Sequence, residues 1–140
     1  MKGKIFIDTN IFVYSAVADS NHTDRRQKAI ELIQAEDYEI VISTQVLNEF
    51  SVILIKNGIG DEAIRERVAE IIENTTINAV TTETILSAWK IRVKYKFSYW
   101  DSLIVAAALE RDCSKLYTED LQDGQIIDKK LTIINPFTGQ

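Results

Sequence analysis

Short apolar runs alternate with longer segments of helical period, and that alternation leaves few architectures open. Ile5-Phe6-Ile7, Ile40-Val41-Ile42, Ile77 to Val80, Leu116-Tyr117-Thr118 and Leu131 to Ile134 each read as a short strand. Helical stretches separate them, which implies βαβ units and a mostly parallel sheet in an α/β fold. No repeat, low-complexity tract or linker interrupts the pattern, and 140 residues suit a single domain over 1–140. Sheets of this kind place their ligands beyond the carboxyl ends of the strands.

Local signals mark the helices. Asp8 or Thr9 is placed to cap a first helix with Ile11, Tyr14 and Val17 or Ala18 inward. A second helix is expected from about Asn21 to Thr23 as far as Glu36. Ser43 or Thr44 opens a third, whose apolar face is Val46, Leu47, Phe50, Ile53 and Leu54, and Asn57-Gly58 stops it. The next begins near Asp61, with Ile64, Val68, Ile71 and Ile72 on one face. Residues 89–97 fit two periods. Trp89, Ile91, Val93, Tyr95 and Phe97 alternate with Lys90, Arg92, Lys94 and Lys96, as in a strand, while Ile85, Leu86, Trp89, Val93 and Phe97 fit one helical face. The length of the segment from Thr82 favours the helix. Its basic residues read as a solvated face. Ser98 then opens the most apolar helix, through Leu109.

The balance of 21 acidic against 16 basic residues, a net charge of −5, argues at first against a nucleic-acid partner. It ceases to do so if several acids hold cations, because bound divalent ions make a cleft locally positive. The one cysteine, Cys113, rules out an internal disulfide and reads as a small packed hydrophobe. With no targeting stretch and no apolar run long enough for a bilayer, a reducing cytoplasm and no membrane association are expected.

Four acids fall in matching places. Asp8 and Asp120 each follow a strand. Glu49 and Asp101 each lie in the opening turns of a helix that leaves the sheet. Singly they have ordinary readings: Asp8 as a cap, Glu49 as a surface acid, Asp120 as a loop acid, and Asp101 reaching back to Ser98 in a capping box. In a parallel sheet all four positions lie on one side. Carboxylates converging there repel one another unless cations neutralise them, and hard oxygen donors select Mg²⁺ or Mn²⁺.

These segments resemble the PIN domain, and more narrowly the VapC-type toxins of toxin–antitoxin pairs. The likeness rests on Asp8-Thr9-Asn10, Asn48-Glu49-Phe50, the run from Tyr99-Trp100-Asp101-Ser102 to Ala108, Thr118-Glu119-Asp120-Leu121, and the terminal Asn135-Pro136-Phe137. It implies a three-layer fold with a five-stranded, mostly parallel sheet flanked by helices. It further implies Mg²⁺- or Mn²⁺-dependent endoribonuclease activity on an RNA substrate, homodimers, and inhibition by a small antitoxin protein. Asp8, Glu49, Asp101 and Asp120 fall on the family's catalytic and metal-binding acids. Thr9, Asn10, Ser43 and Thr118 fall where its accessory polar residues lie. Glu119 and Asp123 stand as alternatives to Asp120, and one metal ion or two remain open.

Other classes fit less well. Phosphatases with an aspartyl nucleophile need a second acid two residues on, where this chain has Asn10. Phospho-receiver domains want an acidic pair after the first strand and a lysine after the last, where this chain has Asn135-Pro136. A catalytically inactive PIN-like RNA-binding or scaffold module is the second reading. The single histidine, His22, lies in a polar stretch, so one subunit cannot supply the histidine pair natural to metal-free ribonucleases. Metal-assisted attack by water predicts 5′-phosphate and 3′-hydroxyl ends.

Overall fold

The computed structural model describes residues 2–138, so residues 1, 139 and 140 of the expected domain lie outside the description. The elements follow in order as β1 (Gly3–Ile7), α1 (Thr9–Ala16), a 3₁₀ turn (Ser20–His22), α2 (Thr23–Gln34), β2 (Tyr38–Ser43), α3 (Thr44–Lys56), α4 (Asp61–Asn74) and β3 (Thr76–Asn78). The second half comprises α5 (Thr82–Tyr95), α6 (Tyr99–Glu110), β4 (Lys115–Tyr117), β5 (Ile126–Ile127) and β6 (Leu131–Ile134). The strands form one sheet in the order β3-β2-β1-β4-β6-β5. The first five are parallel, as the alternation of runs requires.

The sixth strand was not expected. Ile126–Ile127 pairs antiparallel with β6 at the sheet edge. Asp128 and Lys129 both have positive φ between the two strands, the backbone of a tight primed hairpin turn. Asp-Lys lacks the Asn-Gly signature that announces such a turn, which is why the sequence hides it.

Strand β1 is central, and its Ile5, Phe6 and Ile7 are fully buried. A run apolar on both faces needs cover on both. Right-handed crossovers supply it. The connections from β1 to β3 advance one way across the sheet and put α1 to α4 on one face, while the return to β4 puts α5 and α6 on the other. Every residue of α6 from Ser102 to Ala108 is buried. No helix among the described residues is long and apolar enough to cross a membrane.

Several local expectations shift. Residues 89–95 are helical, but the inward face of α5 is Thr84, Ala88 and Ile91. Leu86, Trp89 and Val93 point outward, contrary to the expected face. Ala88 packs against Leu103 and Ala106 of α6, a close approach that a large side chain on that face would prevent. On α1 the buried residues include Phe12 beside Ile11, Tyr14 is only partly buried, and Ala18 is exposed beyond the helix end. Ile72 of α4 is likewise exposed. Strand β3 ends early because the Val80 N–H donates to Thr44 Oγ1 rather than to a neighbouring strand.

Candidate metal-binding acidic site

Parallel registry sets the site. Ile7 pairs with Tyr117, so the next residues, Asp8 and Thr118, leave adjacent strands side by side at the carboxyl edge. The Thr118 hydroxyl donates to Asp8 Oδ2 at 2.8 Å, and the Thr9 N–H donates to Asp8 Oδ1 at 2.7 Å. Asp8 is thus the N-cap of α1 and is buried. Burial pushes its pKa up to about 7, against the lowering effect of the Thr118 and Thr9 hydrogen bonds and with a further rise from the charges of Asp120 and Glu49.

Glu49 reaches the same edge from α3. Thr9 Oγ1 donates to its Oε1 at 2.9 Å, which ties the first helix to the third. Gln45, one turn earlier on the same face, donates to the Trp100 carbonyl at 3.2 Å and at the limit of hydrogen-bond reach, 3.5 Å, to Glu49 Oε2. Gln45 escaped the sequence reading, although its spacing of four from Glu49 marks it as a neighbour. Ser43, the N-cap of α3, is fully buried, and its hydroxyl finds no partner among the described residues.

Asp101 lies in the first turn of α6. Ser98 Oγ accepts its backbone N–H at 3.1 Å, but the reciprocal half of the expected capping box is absent among the described hydrogen bonds. The described cap bond therefore uses the Asp101 backbone, with the Ser98 hydroxyl also within reach of the carboxylate. Partial burial raises the Asp101 pKa, with the Ser98 hydroxyl opposing. Asp120 accepts from Asn10 Nδ2 at 3.3 Å, and its N–H donates to Thr118 Oγ1. Desolvation raises its pKa, followed by the charges of Asp101, Glu119 and Glu49. Asp120 is thus the link, coupled to Asp8, Glu49 and Asp101 across the carboxyl edge.

Neighbouring acids are committed elsewhere. Glu119 forms an ion pair with Arg25 and accepts the Tyr14 hydroxyl at 2.8 Å. The Arg25 guanidinium also sits 4.9 Å from the Phe137 ring centre. Asp123 accepts the Asn135 N–H at 2.8 Å. None of Asp8, Glu49, Asp101 and Asp120 has a lysine or arginine partner among the described ion pairs. An all-oxygen donor set with no basic partner among the described ion pairs, in which burial raises the pKa of Asp8, Asp101 and Asp120, fits a hard divalent cation. No group of three His, Cys, Asp or Glu among the described residues is drawn into a ready-made ion cage.

A three-layer α/β domain with four acids along the carboxyl edge of a mostly parallel sheet defines the class. The sequence profile of the PIN domain matches residues 5–123, and the chain belongs to that family. Solved structures share its fold. VapC20 of Mycobacterium tuberculosis, described as a Sarcin-Ricin loop cleaving toxin, has 20% identity and a TM-score of 0.66, over 80% of this chain and 86% of its own. A toxin–antitoxin complex from Klebsiella pneumoniae has 20% identity and a TM-score of 0.69, over 95% and 98%. VapBC2 from Rickettsia felis, bound to a DNA fragment from its promoter, has 21% identity and a TM-score of 0.59, over 82% and 86%. A sequence comparison with curated proteins found no match.

Proposed function

We propose that the chain is a divalent-metal-dependent endoribonuclease, the toxin of a VapBC-type toxin–antitoxin pair. The observation that carries this reading is the gathering of Asp8, Glu49, Asp101 and Asp120 at the carboxyl edge of a PIN domain's sheet, linked through Asp120 and without basic partners among the described ion pairs. The activity described for VapC20 supports RNA as the substrate.

In this reading Asp8, Asp101 and Asp120, with Glu49, hold Mg²⁺ or Mn²⁺. Asp120 takes the fourth position because Glu119 and Asp123 are bound to other partners. Thr9 and Thr118 fix the oxygens of Glu49 and Asp8, and Asn10 orients Asp120. Ser43 offers a further buried hydroxyl behind the edge. When bound, the cation supplies Lewis-acid stabilisation and a more acidic water.

An antitoxin has a place to dock. A groove of about 1190 Å³ runs between α1, α2 and α4, with Phe12, Ile33 and Ile71 among its walls. Arg26 lines it, and its buried Nε has no acceptor among the described residues. The toxin–antitoxin complexes among the neighbours support such a partner. The outward stripe of Leu86, Trp89 and Val93 is a face for the second copy of a homodimer. The buried Cys113 thiol, its pKa pushed up to about 12 by burial, suits the reducing cytoplasm.

The test is direct. Purified protein is expected to cut single-stranded RNA internally in Mn²⁺ and to stop when EDTA is added. Folded protein that binds RNA and never cuts it in Mg²⁺ or Mn²⁺ supports the scaffold reading instead.

A further inference from the structure

Beside the acidic edge lies an apolar pocket of about 450 Å³ that the metal chemistry does not use. Asn48, Glu49 and Val52 of α3 form one wall, and Trp100 and Leu103 of α6 form the other. Glu49 belongs to the acidic cluster and Trp100 adjoins Asp101, so the pocket opens where an RNA strand engaged by those carboxylates must pass. The volume suits a small planar group and is too small for a helix.

Trp100 is 61% exposed, and its ring takes no part in the core. It is nonetheless positioned. Its carbonyl accepts from Gln45, and its ring meets Tyr99 edge-on at 5.5 Å. Two amides complete the pocket. Asn48 is exposed and makes no side-chain hydrogen bond among the described residues. Gln45 is only 7% exposed, yet its Oε1 has no donor among the described residues.

We propose that this pocket is a nucleobase subsite, in which a base flanking the cut stacks on Trp100 and is read by the Asn48 amide. Aromatic stacking holds any base, because every base has a π-face. A side-chain amide offers a donor and an acceptor together, the pattern that pairs with the N6 and N7 edge of adenine. Adenine is therefore the favoured base. The subsite rests on the endoribonuclease reading above.

The experiment uses short RNAs carrying 2-aminopurine, which reports the stack and not the N6 contact, at each position around the cut, and matched RNAs with adenine or another base there. Binding is read in the Asp101→Asn background and cleavage kinetics in Mn²⁺. One position alone is expected to be quenched. Trp100→Ala is expected to abolish the quenching and raise KM by about tenfold with little change in kcat, the mark of a lost stack. Trp100→Phe should keep most of both, and Asn48→Ala should weaken the preference for adenine. Thermal melting checks that the variants fold. Wild-type KM and undiminished quenching in Trp100→Ala overturn the subsite while the nuclease stands. The same holds if Trp100→Ala loses only capture of a protein partner. A wild type that never cuts RNA overturns the nuclease reading and the subsite with it.

Discussion

Asp101→Asn is expected to reduce RNA cleavage in Mn²⁺ by at least about a hundredfold while leaving the fold intact. Residues that merely support a metal ligand typically cost roughly 10–100-fold when lost, so loss of a ligand itself belongs at or beyond the upper end. The fold survives because α6 is capped through the Asp101 backbone N–H, which asparagine keeps. Asparagine also keeps an oxygen able to accept from the Ser98 hydroxyl that faces the carboxylate. Circular dichroism and melting temperature check the fold, and cleavage of labelled RNA gives the rate. Glu119→Gln is the control. Its carboxylate is held by Arg25 and Tyr14, so that variant should stay active and lose only a little stability. An active Asp101→Asn, or an inactive but folded Glu119→Gln, reassigns the site.

The second large effect is a reversal of the pH dependence of stability by metal. In EDTA, lowering the pH from 8 to 5.5 is expected to raise the melting temperature by roughly 5–10 °C. Asp8 is the cause. Its pKa rises from the ordinary 3.8 of a free carboxyl to about 7 in the fold. A raised carboxyl favours the folded state while it is protonated there and ionised in the unfolded chain. That contribution is complete below the unfolded pKa and is lost as the pH climbs through the folded one, so the window is about pH 4 to 7. The span from 5.5 to 8 carries on the order of 2 kcal/mol. Excess Mn²⁺ should reverse the slope, because ligands must shed protons to bind it. Asp8→Asn should flatten the EDTA profile and blunt the shift produced by metal. Identical profiles in both proteins, with and without Mn²⁺, place the ions elsewhere.

What the sequence revealed follows from where its signals are local. Ile5-Phe6-Ile7 announces a buried strand, and Asp8 a cap just beyond it, without any knowledge of the rest of the chain. The parallel order then fixes which edge the acids share, so the side of the sheet was legible too. What escaped depends on partners far away in sequence. The small residues that let α5 approach α6 decide its inward face, and no periodicity within α5 reveals that Ala88 outranks Trp89. Arg25 capturing Glu119 spans 94 residues, a partnership that no local signal in the sequence announces. Gln45 and the free face of Trp100 became visible only once α3 and α6 met.

The chemistry of the cut ends tests the central claim, that these carboxylates work through a divalent cation rather than as acid–base groups. Repurified protein is incubated with a defined RNA in Mn²⁺ and in EDTA, and the products are weighed by mass spectrometry. Attack by water predicts 5′-phosphate and 3′-hydroxyl ends in Mn²⁺ and intact RNA in EDTA. A 2′,3′-cyclic phosphate formed in EDTA would show attack by the ribose hydroxyl without metal, and would contradict the account.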